Sequence, residues 1–167
     1  LNRETHFARN TRGQVSTITD ALGRTTQNHY DATTGQLAAV VDALGQATQY
    51  QRDGLGRVVR RTTPAGQVTQ VEYCYCGQPS AIIDAAGQTT RYEFDSLGRR
   101  TAAILPNGAR TEYTYERING RDVVLTSKDA LGHVTTMTYD NAGRLVSQAD
   151  PLGRTTRYAL DVMGRVV

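Results

Sequence analysis

Three sets of side chains in this sequence could do chemistry: two cysteines, a recurrent series of carboxylates, and a scatter of histidines. Cys74 and Cys76 flank Tyr75 and are the only cysteines. Two sulfurs at this spacing could be half of a metal site. Alternatively, Cys74 could occupy a turn position that other segments give to Asp. No third Cys exists to complete a site, and His6, His29 and His133 fall at unrelated places. The turn reading is therefore the expectation, and no metal ligand is assigned. A disulfide between positions i and i+2 would be strained. The carboxylates Asp20, Asp31, Asp42, Asp53, Asp84, Asp95, Asp129, Asp140, Asp150 and Asp161 each stand three or four residues before a glycine. Acids that recur at one position in copy after copy point to structure rather than to acid–base catalysis. No G-x-S-x-G, H-E-x-x-H or phosphate-loop motif occurs. No catalytic or cofactor-binding residue is assigned, no cofactor is implied, and an enzyme is not expected.

The 19 Lys and Arg exceed the 16 Asp and Glu by three, which gives a pI near 9.0. Many arginines directly follow a glycine: Arg24, Arg57, Arg99, Arg144, Arg154 and Arg165. Such a row could meet an anionic partner, nucleic acid or acidic glycan. It could equally be a solvated row that pairs with the turn aspartates. A net charge of +3 is too weak for the first reading, so no nucleic-acid partner is expected. No apolar run long enough to span a membrane as a helix is present.

The elements that must position these groups follow from the glycines. Fifteen of the sixteen recur at gaps of 10 to 12 residues, from Gly13 to Gly164. The gaps alternate, so the period is about 21 residues and holds two unlike halves. In one half, Thr stands three residues after the glycine every time, with aromatics common at five and seven. Offsets 3, 5 and 7 share one face of a strand, and offsets 2, 4 and 6 make a polar opposite face. The other half is more aliphatic, as in Leu37–Val41, and reads as the return strand. Between the halves, Asp at the first position and Gly at the fourth specify a type I turn closed by a left-handed glycine. Extra residues lie between Asp31 and Gly35, between Glu116 and Gly120, and between Gly120 and Gly132, and all are assigned to turns. The aromatics Tyr50, Tyr92, Phe94, Tyr113, Tyr115, Tyr139 and Tyr158 are expected to share one face and to stack against neighbouring strands.

The expected fold class is all-β: an antiparallel meander of repeated β-hairpins forming a curved wall. About 14 strands at ~4.8 Å would make a sheet roughly 65 Å wide, and such sheets rarely stay flat. Residues 1–167 are read as one repeat array with no internal domain boundary, a piece of a longer one.

The consensus G-x-x-T-x-Y-x-Y-D-x-x-G, followed by Arg, resembles the Rhs or YD repeat family along essentially the whole chain. The clearest stretches are Gly87 to Arg99, Tyr139 to Leu145 and Asp150 to Tyr158. Their structural signature residues are Tyr92, Asp95, Gly98, Arg99, Tyr139, Asp140, Gly143, Arg144, Asp150, Gly153, Tyr158, Asp161 and Gly164. The resemblance implies a strand ribbon that spirals into a hollow β-shell. In bacterial Rhs proteins and toxin-complex C components that shell encloses a C-terminal toxin domain, and in teneurins a similar shell belongs to an adhesion receptor. The implied role is a non-catalytic segment of a toxin-encapsulating shell of a secreted or cell-surface polymorphic toxin used in bacterial competition. The implied partners are the rest of its own shell, the enclosed toxin domain and a secretion-system component. The alternative is a cell-surface, glycan-binding adhesion module. Family shells end in a self-cleaving segment with D-P-x-G-L-type motifs. Here Asp150-Pro-Leu-Gly153 runs on into Arg154 as an ordinary repeat, so neither the protease nor the toxin is expected on this stretch.

Overall fold

The computed structural model of the chain describes residues 4–167. Fifteen strands follow one another: β1 (His6–Arg9), β2 (Val15–Thr19), β3 (Thr25–Tyr30), β4 (Leu37–Val41), β5 (Ala47–Arg52), β6 (Val58–Thr62), β7 (Val68–Tyr73), β8 (Pro79–Ile83), β9 (Thr89–Phe94), β10 (Arg100–Ile104), β11 (Arg110–Ile118), β12 (Arg121–Lys128), β13 (Val134–Tyr139), β14 (Leu145–Ala149) and β15 (Thr155–Arg157). Their order in the single sheet is their order in sequence, so the fold is an all-β antiparallel meander. The count agrees with the sequence expectation of about 14, and the residues ahead of Gly13 form β1, which pairs with β2. Among the described residues there is no helix, and hence none long and apolar enough to cross a membrane. By packing, the chain divides into two compact units. One runs up to Glu72 and includes Ile82–Gln88; the other comprises Tyr73–Ala81 and Thr89–Val167.

The two halves of the repeat differ in register. Hairpins β2–β3, β4–β5, β6–β7, β10–β11, β12–β13 and β14–β15 pair without interruption. Hairpins β1–β2, β3–β4, β5–β6, β9–β10, β11–β12 and β13–β14 each carry a bulge. The skipped residues are Ser16, Ala38, Val59, Thr101, Leu125 and Val146. A bulge adds one residue to one strand and sharpens the local twist. That offset is why the period takes two unlike hairpins rather than one.

The extra residues after Glu116 do not enlarge a turn, contrary to the sequence expectation. They lengthen β11 to nine residues and β12 to eight, joined by Asn119-Gly120. Asn119 has φ 46° and Gly120 φ 78°, the two-residue geometry that matches strand twist. Glu116 accordingly pairs with Val123 in mid-strand and does not take the turn-Asp position. The extra residue after Asp31 does stay in its turn, where the Gly35 N–H reaches the Asp31 carbonyl at 2.9 Å.

Pairing fixes the faces. In the second unit, Tyr92, Ala103 and Thr111 lie in one row, as do Tyr113, Ser127 and Thr135, and Met137, Gln148 and Thr156. By alternation, Tyr92, Phe94, Tyr113, Tyr115 and Tyr139 share that face, while Tyr158 lies past the end of β15. In the first unit Tyr50 lies across from Arg61. In the second unit the strands that carry these tyrosines alternate with others, about 9.6 Å apart. Arginines lie against the rings of three of them. The Arg100 guanidinium lies 5.7 Å from the Tyr92 ring centre and 5.3 Å from that of Tyr113, and Arg99 lies 5.0 Å from Tyr115. Each such contact contributes about 0.5–1 kcal/mol at a partly exposed site.

Among the described residues no second sheet and no helix is formed that could cover either face. Among the described residues, the fully buried apolar ones are Ala81 and Ala102, at 1% and 0% exposure. The accessible surface is 11379 Å², against about 8,100 Å² for a globular monomer of this mass. Apolar residues also tip the turns: Leu22, Leu44, Leu55, Leu97, Leu131 and Leu152 are 64–82% exposed.

Candidate functional site

The repeating turn is the best-defined polar constellation. In each Asp turn the Gly N–H donates to the Asp carbonyl, as from Gly98 to Asp95 at 3.0 Å, and the Asp N–H closes the hairpin onto the residue after the glycine. The Asp Oδ1 then accepts two further N–H groups, from positions two and four residues on. This holds for Asp20, Asp42, Asp53, Asp84, Asp95, Asp129, Asp140, Asp150 and Asp161. Where Arg follows the glycine, its Nε donates to Oδ2 at 2.6–2.8 Å: Arg24, Arg57, Arg99, Arg144, Arg154 and Arg165. This accounts for the Asp-x-x-Gly-Arg spacing of the signature residues Asp95 to Arg99 and Asp140 to Arg144.

Where arginine follows the glycine, the turn carboxylate is held below its ordinary pKa. The guanidiniums of Arg24 and Arg57 bring Asp20 and Asp53 below the usual range. For Asp140 and Asp161 the leading cause is the backbone N–H of Arg144 and Arg165. At Asp95 and Asp150 partial desolvation is the largest single effect and pushes upward, but the hydrogen bonds together outweigh it. A carboxylate that stays ionised and committed to its own turn is a poor proton donor near neutral pH.

The signature tyrosine has a second task. Tyr30, Tyr115 and Tyr139 donate their hydroxyls to the carbonyls of Val15, Arg100 and Val124 at 2.7–2.9 Å. In the copy that carries Arg52 instead, its Nε donates to the Leu37 carbonyl at 3.1 Å. Each acceptor is the residue just ahead of a bulge. The side chain seven residues after the glycine thus adds a hydrogen bond to the carbonyl beside the bulge. Partial desolvation raises the pKa of Tyr115 and Tyr139, so both remain donors. Tyr158 instead follows β15, where its N–H donates to the Val146 carbonyl.

The polar face carries an ion ladder across β9–β12. Arg110 donates to both carboxylate oxygens of Glu93 at 2.7 Å and to Glu112 at 2.8 Å, and Lys128 lies 3.2 Å from Glu112. Ala102, paired with Glu93 and Glu112, lies fully buried beneath it. Arg110 lowers the pKa of both acids, Glu93 through its side-chain hydrogen bonds and Glu112 jointly with Lys128. Arg99 also reaches Asp122 at 3.0 Å.

Cys74 does take the first turn position: its carbonyl accepts from Gly77 N–H at 3.0 Å. Its sulfur, however, is bonded to Cys76. Sequence separation alone made this bond look strained, but the turn brings the two Cα atoms to 5.1 Å, inside the usual disulfide span. His133 fills an arginine position, with Nδ1 3.0 Å from Asp129. His6 lies 3.9 Å from Glu4, and His29 sits on β3 opposite Ala39. Among the described residues no cluster of His, Cys, Asp or Glu that could hold a metal is formed. The long β11–β12 hairpin and β13 border an open recess of about 610 Å³, lined among others by Glu116, Arg117, Leu125, Met137 and Asp140. The Asp140 carboxylate there is already engaged by Ala142, Arg144 and the Arg144 side chain.

Comparison with known proteins agrees with this geometry. The RHS Repeat family model matches residues 30–68, 77–110, 124–155 and 139–167. No sequence relative was found among curated proteins. The fold is similar to that of the Photorhabdus luminescens Tc holotoxin pore, at TM-score 0.73 and 16% identity over 94% of this chain and 10% of that one. It is similar also to TcdB2-TccC3 without its hypervariable C-terminal region, at TM-score 0.72 and 16% identity over 97% of this chain. A third, TcdB2-TccC3-TEV, matches at TM-score 0.60 and 11% identity over 98% of this chain. The chain spans only 10–13% of the length of these solved chains, and the likeness is one of fold. With the repeat turn, the bulge-bonded tyrosine and the matched residues taken together, the chain belongs to the RHS repeat family.

Proposed function

We propose that residues 1–167 are one uninterrupted stretch of wall in a YD-repeat shell that encloses a toxin domain, and that they do no catalysis themselves. The observation that carries this reading is a 15-stranded meander with, among the described residues, no second sheet or helix to cover it. A single sheet of this kind is an incomplete unit and is completed by what it surrounds or joins. The fold likeness to toxin-complex structures supports the same reading, as do turn carboxylates that accept hydrogen bonds within their own turns. The partners would be the remainder of the shell and the enclosed toxin, delivered through a secretion-system component to a secreted or cell-surface location.

A glycan-binding adhesion module would need an exposed aromatic cluster rimmed by arginine. Tyr92, Phe94, Tyr113 and Tyr115 are instead half-buried, with Arg99 and Arg100 lying over the rings of the three tyrosines. Limited proteolysis of the full polypeptide that carries these repeats is the test. The shell reading expects a terminal domain to survive protease that digests the same domain when expressed free. Equal digestion of the two, or saturable binding in a glycan array that is lost on changing Tyr92, would overturn it.

A further inference from the structure

We infer that Cys74–Cys76 is a thiol–disulfide exchange site, a turn locked by oxidation and released by a small thiol or dithiol. The bond joins the first and third turn positions. In the aspartate turns those two positions are tied by a hydrogen bond, as from Leu97 N–H to Asp95 Oδ1 at 3.0 Å. A thioether-like sulfur is a weak acceptor, so the disulfide stands where that hydrogen bond would be. It is placed for attack: both cysteines are half-buried rather than buried, and Tyr75 between them is 89% exposed.

The bond has little to do for global stability. It closes a loop of one intervening residue, and the chain entropy a disulfide removes falls with loop length. The hairpin closes without it, through Cys74 N–H to the Gln78 carbonyl at 2.9 Å and Gly77 N–H to the Cys74 carbonyl. The turn at Leu105 shows that such a hairpin forms with neither a carboxylate nor a disulfide at its first position: Gly108 N–H reaches the Leu105 carbonyl at 2.9 Å. Exposed disulfides that folding does not protect are the labile ones.

The exchange balances with a monothiol as reductant. A thiolate attacks one sulfur, the S–S bond breaks, a mixed disulfide forms and the other cysteine leaves as a thiolate that takes a proton. A second thiolate attacks the external sulfur of the mixed disulfide. The small disulfide departs and the protein holds two thiols, having gained two electrons and two protons. Tyr75 then gains freedom while the flanking strands stay paired.

The test uses the full polypeptide, natively folded, in glutathione buffers of graded reduced-to-oxidised ratio. Alkylation with iodoacetamide followed by peptide mass spectrometry reads Cys74 and Cys76. The expected result is a reversible shift of both from unalkylated to doubly alkylated within the millimolar glutathione range, with the β-sheet circular dichroism unchanged. Chymotryptic cleavage after Tyr75 should rise about tenfold in the reduced form as the turn opens locally. The proposal is overturned if the pair resists reduction until the protein is denatured, if both thiols stay free under every oxidising ratio, or if reduction melts the sheet. A Cys74→Ser, Cys76→Ser variant should cleave at the reduced rate in all buffers; cleavage at the oxidised rate counts against the lock. None of these outcomes bears on whether the repeats enclose a toxin.

Discussion

Replacing Tyr139 by Phe isolates the hydroxyl that the repeat aims at its bulge. Tyr139 Oη donates to the Val124 carbonyl at 2.8 Å, with Met137 Sδ 3.7 Å away. Phe keeps the ring and its half-buried packing, so the apolar contribution is unchanged. What disappears is one neutral hydrogen bond, worth about 0.5–1.5 kcal/mol net, and the half-exposed setting, where water can reach the carbonyl, favours the lower half of that range. Tyr139→Ala removes the ring as well. If about 100 Å² of apolar area is lost at ~25 cal/mol/Å², the extra cost is about 2.5 kcal/mol, for a total near 3 kcal/mol. Native-state hydrogen exchange by mass spectrometry, on the full polypeptide, reports the local opening of β12 and β13 where these costs would appear. Exchange in the peptides containing Val124 and Tyr139 should speed up about threefold for Phe and more than a hundredfold for Ala. If Phe exchanged like the parent and Ala by less than about threefold, the tyrosine would be neither bulge donor nor packing element, and the reasoning would be refuted.

Three further outcomes are expected. Gly45 has φ 77° with open space around it, so Gly45→Ala should cost about 1–2 kcal/mol through backbone strain alone, while Gly45→Asn should cost less; equal unfolding midpoints for all three would count against a left-handed turn. Asp20, Asp53 and Asp140 have folded pKa values below their unfolded value of about 3.9, so their contribution is present above that pH and lost as pH falls through the folded values; thermal stability should therefore drop below about pH 4, and stability that rises with acid would contradict the turn account. Expressed alone, residues 1–167 should self-associate through open sheet edges and the exposed turn leucines and should turn over no ester, peptide or phosphodiester substrate; a monodisperse monomer in light scattering with saturable turnover would count against the wall reading.

Much of the fold was legible because the turn is written in residue types. Asp at the first position, Gly at the fourth and Arg directly after announce one hydrogen-bonded unit, and alternation between Thr, Tyr and Tyr announces the strand face. The bulges were not legible, since a skipped Ala38 or Thr101 changes pairing without changing composition. Their trace is the side chain seven residues after the glycine, Tyr30, Arg52, Tyr115 or Tyr139, whose place on the strand face reads as stacking. The lengthened β11–β12 hairpin had a visible signal in Asn119-Gly120, the dipeptide of tight hairpin turns, which the glycine beat obscured. Arginine over tyrosine was hidden because rings on alternate strands look adjacent in a repeat alignment yet lie two strands apart. For the disulfide, sequence separation is no guide, because turn curvature decides the distance between Cys74 and Cys76.

Electron microscopy of single particles of the full polypeptide tests the central claim most directly. The account predicts a closed hollow shell whose wall is one continuous strand ribbon containing residues 1–167, with density for a separate domain inside. An open sheet packed on both faces by other domains, or a closed shell with the terminal domain outside it, would contradict the account.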